Sequence, residues 1–119
     1  MRLFIILLLF AGIAEARENP EKYYQDKWCK GETEHRLSDG TRVDCMTVKR
    51  EGNFYAVEVE FADKWAESGL QALHYGLMTG RKPGIVIIVE DPKRDLKYLN
   101  RLYNTINGAG LMIRVWVVQ

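Results

Sequence analysis

Five consecutive residues, Ile85-Val86-Ile87-Ile88-Val89, constrain the fold of this chain more than any other stretch. Successive side chains of a strand point to opposite faces, so a run that is apolar at every position has no face to give to water. Such a strand belongs inside a sheet covered on both sides, the usual setting of parallel strands joined by helices. Helical patterns flank it. The earlier one is expected over 63–79, with Asp63 as its cap and Gly80 as its stop. Ala66, Leu70, Leu73 and Leu77 recur there at helical spacing as the expected buried stripe, and Lys64, Glu67, Gln71 and Tyr75 form a second, polar stripe. The later helix opens at Asp91-Pro92, ends near Gly108 and puts Leu99, Leu102 and Ile106 on its core side. Residues 111–118 read as a last strand whose apolar character favours a buried position.

Upstream the pattern changes. Asn19-Pro20-Glu21 opens a first helix, with Asn19 as N-cap and Pro20 at the first helical position, running to about Lys30. Tyr24 and Trp28 share a face of it and are expected to cover the sheet. Strands follow at 32–37, 42–48 and 54–61, separated by turn sequences at 38–41 and 50–53. Trp65 and Trp116 are expected at the core or its edge. The order α-β-β-β-α-β-α-β gives a single α/β (or α+β) domain with a mixed central sheet flanked by helices.

The first 16 residues are expected to lie outside that domain. Met1-Arg2 gives a positive start, residues 3–13 are apolar, and Ala14-Glu15-Ala16 has the small-x-small form of a cleavage site. This reads as a secretory signal peptide cleaved before Arg17, with an apolar run too short to span a bilayer. Residues 17–119 would then carry no membrane anchor. The chain holds two cysteines, and Cys29 and Cys45 are expected to form one disulfide in an oxidising compartment. It would tie the end of the first helix to the second strand. Export with one disulfide points to a bacterial periplasm, or otherwise to the outside medium. The formal net charge of +1 excludes the strong basic excess usual in nucleic-acid-binding domains, so any such binding must use a local patch.

The carboxylates carry the chemistry. On the third strand Glu58 and Glu60 point to one face, while Tyr55, Val57, Val59 and Phe61 point to the other. Hairpin pairing can set Asp44 of the second strand beside Glu58, because adjacent strands sit about 4.8 Å apart. Two hard oxygen ligands at that spacing suit Mg²⁺ or Mn²⁺, with Glu60 as a third ligand or a base. Gln71 and Tyr75, spaced i and i+4, project from one side of the following helix. Lys64, close in sequence to the acids, can place an ammonium against a reacting oxygen. The plainer reading of these residues is a solvated strand face and a polar helical seam. His74 points elsewhere and is read as a surface or core histidine.

Strand acid, strand Glu-x, then helix Gln-x-x-x-Tyr in an αβββαβ order resembles the PD-(D/E)XK nuclease superfamily, the restriction endonuclease-like fold, across residues 17–119. The resemblance implies a Mg²⁺-dependent phosphodiesterase or nuclease. It puts Asp44 in the role of the metal-binding Asp and Glu58 in that of the second acid, with Glu32 or Glu34 as an early acid and metal ligand. Gln71 and Tyr75 match the helix that flanks the site. One position departs from the pattern: Glu60 stands where the family has its lysine, and Lys64 is the candidate replacement.

Lys93, Lys97 and Arg101 follow one i, i+4, i+8 line on the last helix, joined by Arg94, and offer a non-specific contact to a phosphate backbone. Arg42, Lys49, Arg50, Arg81 and Lys82 can extend that patch. The same stripe also fits an ordinary solvated helix face. The sequence therefore leaves three readings: an exported metal-dependent nuclease, a non-catalytic periplasmic binding module on the same fold, and a structural protein with surface acids.

Overall fold

The computed structural model describes residues 17–119; the expected leader, 1–16, lies outside the described residues. Three helices and five strands form one α+β domain: α1 Glu21–Trp28, β1 Glu32–Arg36, β2 Arg42–Met46, β3 Tyr55–Phe61, α2 Trp65–Thr79, β4 Lys82–Ile88, α3 Pro92–Ala109 and β5 Arg114–Val118, with a 3₁₀ turn Ala62–Lys64 leading into α2. The sheet order is β1-β2-β3-β4-β5. β1, β2 and β3 form an antiparallel meander, whereas β3, β4 and β5 are parallel.

The apolar run decides the layering. Ile85, Val86, Ile87 and Ile88 are fully buried, and they divide between two cores. Val86 and Ile88 join Val57, Val59, Phe61 and Tyr24 under α1. Ile85 and Ile87 join Ala72, Leu102, Ile106 and Val115 under α2 and α3. Both crossovers link neighbouring parallel strands, and right-handed connections put α2 and α3 on the same face. α1 alone covers the other. It is held there by the expected disulfide, Cys29–Cys45, with Cα atoms 5.8 Å apart, and by Trp28 against Trp116, ring centroids 5.0 Å apart. Gly31, just past α1, lies against the β2 backbone, where a side chain would collide with the Met46 carbonyl. The N-terminal arm is fastened as well. Glu90 Oε2 accepts from the Glu18 and Asn19 backbone N–H groups (3.0 and 3.1 Å) and from the Tyr24 hydroxyl (2.6 Å).

Several expected details differ. Asn19 does not cap α1: Pro20 occupies the cap position, and the Asn19 amide donates to the Tyr24 hydroxyl instead. Asp63 does not cap α2, because the chain first makes a 3₁₀ turn and Asp63 pairs with Arg17 at 2.5 Å. The buried face of α2 is Ser68, Ala72, Tyr75 and Gly76, not the leucine line. Leu70 and Leu77 are 73% and 83% exposed. The small residues let α2 approach the sheet closely; a side chain at Gly76 would press on Pro83 and the Arg81 carbonyl. The displaced aliphatic line borders an apolar groove of about 380 Å³ between α2 and α3, lined by Trp65, Leu70, Leu73, Leu111 and others. β5 is an edge strand in which only Val115 is buried, and its Val117 is 42% exposed. Among the described residues no helix is long and apolar enough to cross a membrane.

Replacing both Cys29 and Cys45 by Ser removes a cross-link between positions 16 apart in sequence. It should lower unfolding stability by about 3 kcal/mol, read by urea denaturation. The exposure pattern of α2 gives a second expectation. Leu70→Gln and Leu77→Gln should each shift stability by under about 0.5 kcal/mol, whereas Leu102→Ala should cost about 2–5 kcal/mol.

Candidate functional site

The meander does not run as a regular ladder past Asp44. β1 and β2 pair at Thr33–Cys45 and at His35–Val43, but between those pairs Glu34 adopts a left-handed backbone, φ 54°. β2 and β3 pair at Cys45–Val57 and Met46–Ala56. At the next step the Val59 N–H donates to Asp44 Oδ2 at 2.8 Å. A side-chain carboxylate thus takes the place of a strand carbonyl. Beyond it β3 has lost its ladder partner on that side, while its other edge stays paired with β4 through Phe61 and Ile88.

The acids collect at this split. Glu58 is buried, 8% exposed, and its carboxyl lies within hydrogen-bonding reach of Asp44. Burial chiefly, then the Asp44 hydrogen bond and charge, pushes Glu58 up to about 10. Asp44 is also raised, by burial first. Glu60 Oε1 accepts the Phe61 N–H at 2.9 Å. From α1, Glu21 reaches the Glu60 carboxyl. Its own burial, followed by the charges of Glu60 and Asp44, pushes it up to about 8, and Lys64 opposes the shift. Tyr75 of α2 is buried beside the cluster. Its hydroxyl is driven upward by burial and then by Glu58, Asp44, Glu34 and Glu21, so it remains a neutral donor.

Asp44, Glu58 and Glu60 stand near one another with Tyr75 buried beside them, Glu34 exposed but close enough to act on Asp44, and Lys64 close enough to act on Glu21. The face shared by Glu58 and Glu60 is not a wet strand face, because α2 covers it. Gln71 is exposed on α2 although Tyr75, one turn on, is buried. Glu32 stands apart from the cluster, against His35 at 2.9 Å, so of the two early acids only Glu34 belongs. His74 is a surface residue paired with Asp39 of the β1–β2 turn at 2.7 Å. Sequence reasoning missed Glu21. Its only signal was an acid in the first turn of a helix, and the docking of α1 over the sheet is what delivers it.

The basic residues divide. Lys93, Lys97 and Arg101 are exposed along α3, with Lys97 and Arg101 each over the Tyr98 ring at 5.0 and 5.5 Å. Arg94 is consumed by the fully buried Asp95, through bonds of 2.7 and 2.8 Å. Arg81 donates to the Thr47 carbonyl, and Arg50 lies over the rings of Trp28 and Trp116. Those three hold the fold together.

Among the described residues no three His, Cys, Asp or Glu side chains are already gathered as a metal-binding set. The acids stand instead as two carboxyl pairs, Asp44 with Glu58 and Glu21 with Glu60. Carboxyls in such contact do not all ionise together. The donor chemistry still fits a small hard cation, since Mg²⁺ needs only one or two carboxylates and keeps several waters. Comparison with protein-family models, with curated proteins and with solved structures finds no match to this chain.

The raised acids fix the sign of a pH effect. Between the ordinary value of 4.5 and the raised values of about 8 for Glu21 and about 10 for Glu58, the unfolded chain has lost protons that the folded chain retains. Stability therefore falls as pH rises through that window and is free of this penalty below pH 4.5. Thermal melts in chelator from pH 6 to 9 should show Tm declining. Glu58→Gln should flatten the slope and raise Tm at pH 9.

Proposed function

We propose that this chain is an exported, PD-(D/E)XK-like phosphodiesterase that uses Mg²⁺ or Mn²⁺ held by Asp44 and Glu58, and that it acts on nucleic acid in the bacterial periplasm. The observation that carries the reading is the Asp44–Glu58 carboxyl pair set where β2 leaves β3, with Asp44 fixed by the Val59 N–H. The αβββαβ order and the burial of Tyr75 against that pair support it. The Cys29–Cys45 disulfide supports the oxidising compartment.

A bound divalent cation supplies Lewis acidity at a phosphoryl oxygen and acidifies a coordinated water. The protein's own groups do the rest. Asp44 and Glu58 hold the cation, and Glu34 and Glu21 adjoin them as further oxygen donors. Glu60 takes the proton of the attacking water. Lys64, exposed at the entrance to α2, stands to balance charge on the departing oxygen. Tyr75 donates a hydrogen bond from below, and Gln71 contacts substrate from the exposed side of the same helix. Lys93, Lys97 and Arg101 bind phosphates without reading sequence.

One observation favours a second reading. Glu60 replaces the lysine of the motif and pairs with Glu21, which suits a non-catalytic cation-binding or interaction module on the same fold. The two readings separate in one assay. Oxidised protein spanning 17–119 is incubated with single- and double-stranded DNA and RNA and Mg²⁺ or Mn²⁺, beside Asp44→Ala and Glu58→Ala. Cleavage that requires the metal and disappears in both variants is expected. Cation binding without cleavage of any substrate would favour the module.

A further inference from the structure

Glu90 stands just past β4, at the carboxyl end of the parallel strands, and its two side-chain oxygens are used unequally. Oε2 accepts from the Glu18 and Asn19 N–H groups and from the Tyr24 hydroxyl. Oε1 is buried and has no hydrogen-bond partner among the described residues. A buried acceptor without a donor is costly and uncommon in folded proteins, so its retention calls for a cause. The chain itself holds the nearest donor. Two successive backbone N–H groups already converge on this carboxyl, the arrangement by which backbone nests hold anions. The next nitrogen toward the leader belongs to Arg17, and covalent geometry keeps it within about 4 Å of the Glu18 nitrogen. Arg17 is also held by its side chain. Its guanidinium pairs with Asp63 and lies over the Phe61 ring, 3.8 Å from the centroid. Phe61 is the register partner of Ile88, two residues before Glu90. The Arg17 backbone is thus confined between the ends of β3 and β4, beside the unpaired oxygen.

While the leader is attached, the Arg17 nitrogen is an amide with one N–H. Hydrolysis of the Ala16–Arg17 bond by a leader-removing peptidase adds one water, ends the leader in a carboxylate and leaves Arg17 with an ammonium. That group has a positive charge and three N–H donors, and a carboxylate oxygen is the acceptor it suits best. We propose that the Arg17 ammonium freed by leader cleavage binds Glu90 Oε1, a lock that only the processed chain can close. The bond pairs the buried oxygen and ties down the N-terminal arm. Because the same carboxyl holds the Tyr24 hydroxyl, the lock also steadies α1, the helix that carries Glu21 to the acids. A chain that keeps its leader lacks the ammonium and is the less stable of the two, which suits passage through a membrane before folding is complete. The inference rests on the exported half of the proposed function and is independent of its metal and substrate.

The test uses the full chain, expressed in bacteria with its leader and recovered oxidised from the periplasm, its N-terminus read by mass. A second form carries Gly-Ser inserted between Ala16 and Arg17, so that cleavage leaves the ammonium displaced from Arg17. Both forms are also made with Glu90→Gln. At about pH 6.5 an ordinary α-amino group is protonated. There the unextended protein should melt about 5 °C above the extended one, and in the Glu90→Gln background the difference should vanish. Acylation of amino groups, followed by peptide mass spectrometry, gives a second reading that does not depend on the variant folding. The Arg17 amino group should react about tenfold more slowly in the folded protein than in a peptide of residues 17–24. Equal melting of the two forms, a difference that survives Glu90→Gln, or peptide-like reactivity at Arg17 overturns the lock. Recovery of a chain that begins elsewhere than Arg17 overturns the cleavage reading, and this inference with it.

Discussion

The bond from the Val59 N–H to the Asp44 carboxylate is the constraint around which the site is arranged. Val59 is fully buried, and a buried backbone N–H must find an acceptor. Had β2 continued in register, a strand carbonyl would have served. A carboxylate reaching across serves instead, and the backbones are free to part there while the N–H stays paired. The same carboxylate thus ends the ladder and faces Glu58. Losing it by mutation would remove an acid from the site and strand a buried donor, so the chemistry and the fold are joined at one atom.

Two costs meet at that place. Glu34 holds a left-handed backbone opposite Asp44, which a side-chain-bearing residue adopts reluctantly. Glu58 is buried, and Glu21 half-buried, among like charges. Elsewhere the packing is orderly: β4 is apolar on both faces, and the buried carboxylate Asp95 is paired with Arg94 in the fork geometry that suits it. Strained backbone at Glu34 beside acids whose burial raises their protonation, with a well-made core around them, supports a functional site there. The disulfide has a part in this. It anchors α1 to the sheet by a covalent bond, so the helix that carries Glu21 does not depend on that uncomfortable residue to stay docked.

What could be read from the sequence follows from how local each signal is. The β4 run needs no partner to be recognised, and the two turns of the meander announce themselves through their Gly, Asp and Asn residues. Cys29 and Cys45 were a lone pair and found each other. The Asp44–Glu58 neighbourhood was legible because strand pairing is nearly determined by the turns between the strands. α2 was misread because aliphatic periodicity marks where bulk lies, whereas close approach to a sheet selects small side chains. Ser68, Ala72 and Gly76 made that face and gave no hydrophobic signal, and the leucines were left beside the groove with α3. Glu21 was out of reach for a different reason. Its distance to Glu60 depends on where α1 docks, a long-range packing outcome that no window of sequence encodes. Glu32 and Glu34 looked equivalent two residues apart, and only the backbone distortion at Glu34 separates them.

The exchange of lysine for Glu60 bears most on what the site can do. A lysine there would place a cation inside the cluster and let its neighbours ionise. Glu60 instead takes a hydrogen bond from its own strand and engages Glu21. Lys64 stands one helical turn of chain further on, exposed, and lowers Glu21 only as the last of its influences. One solvated ammonium does not offset the cost that Glu58 meets in its buried place, and Glu58 and Glu21 answer it by holding their protons well above the ordinary carboxylate range. On the proposed reading, a divalent cation would supply the positive charge that lets those protons leave, with the hard-oxygen preference these residues share. On that same reading, the absence of a lysine from the cluster makes cation binding compete with those protons before any catalysis.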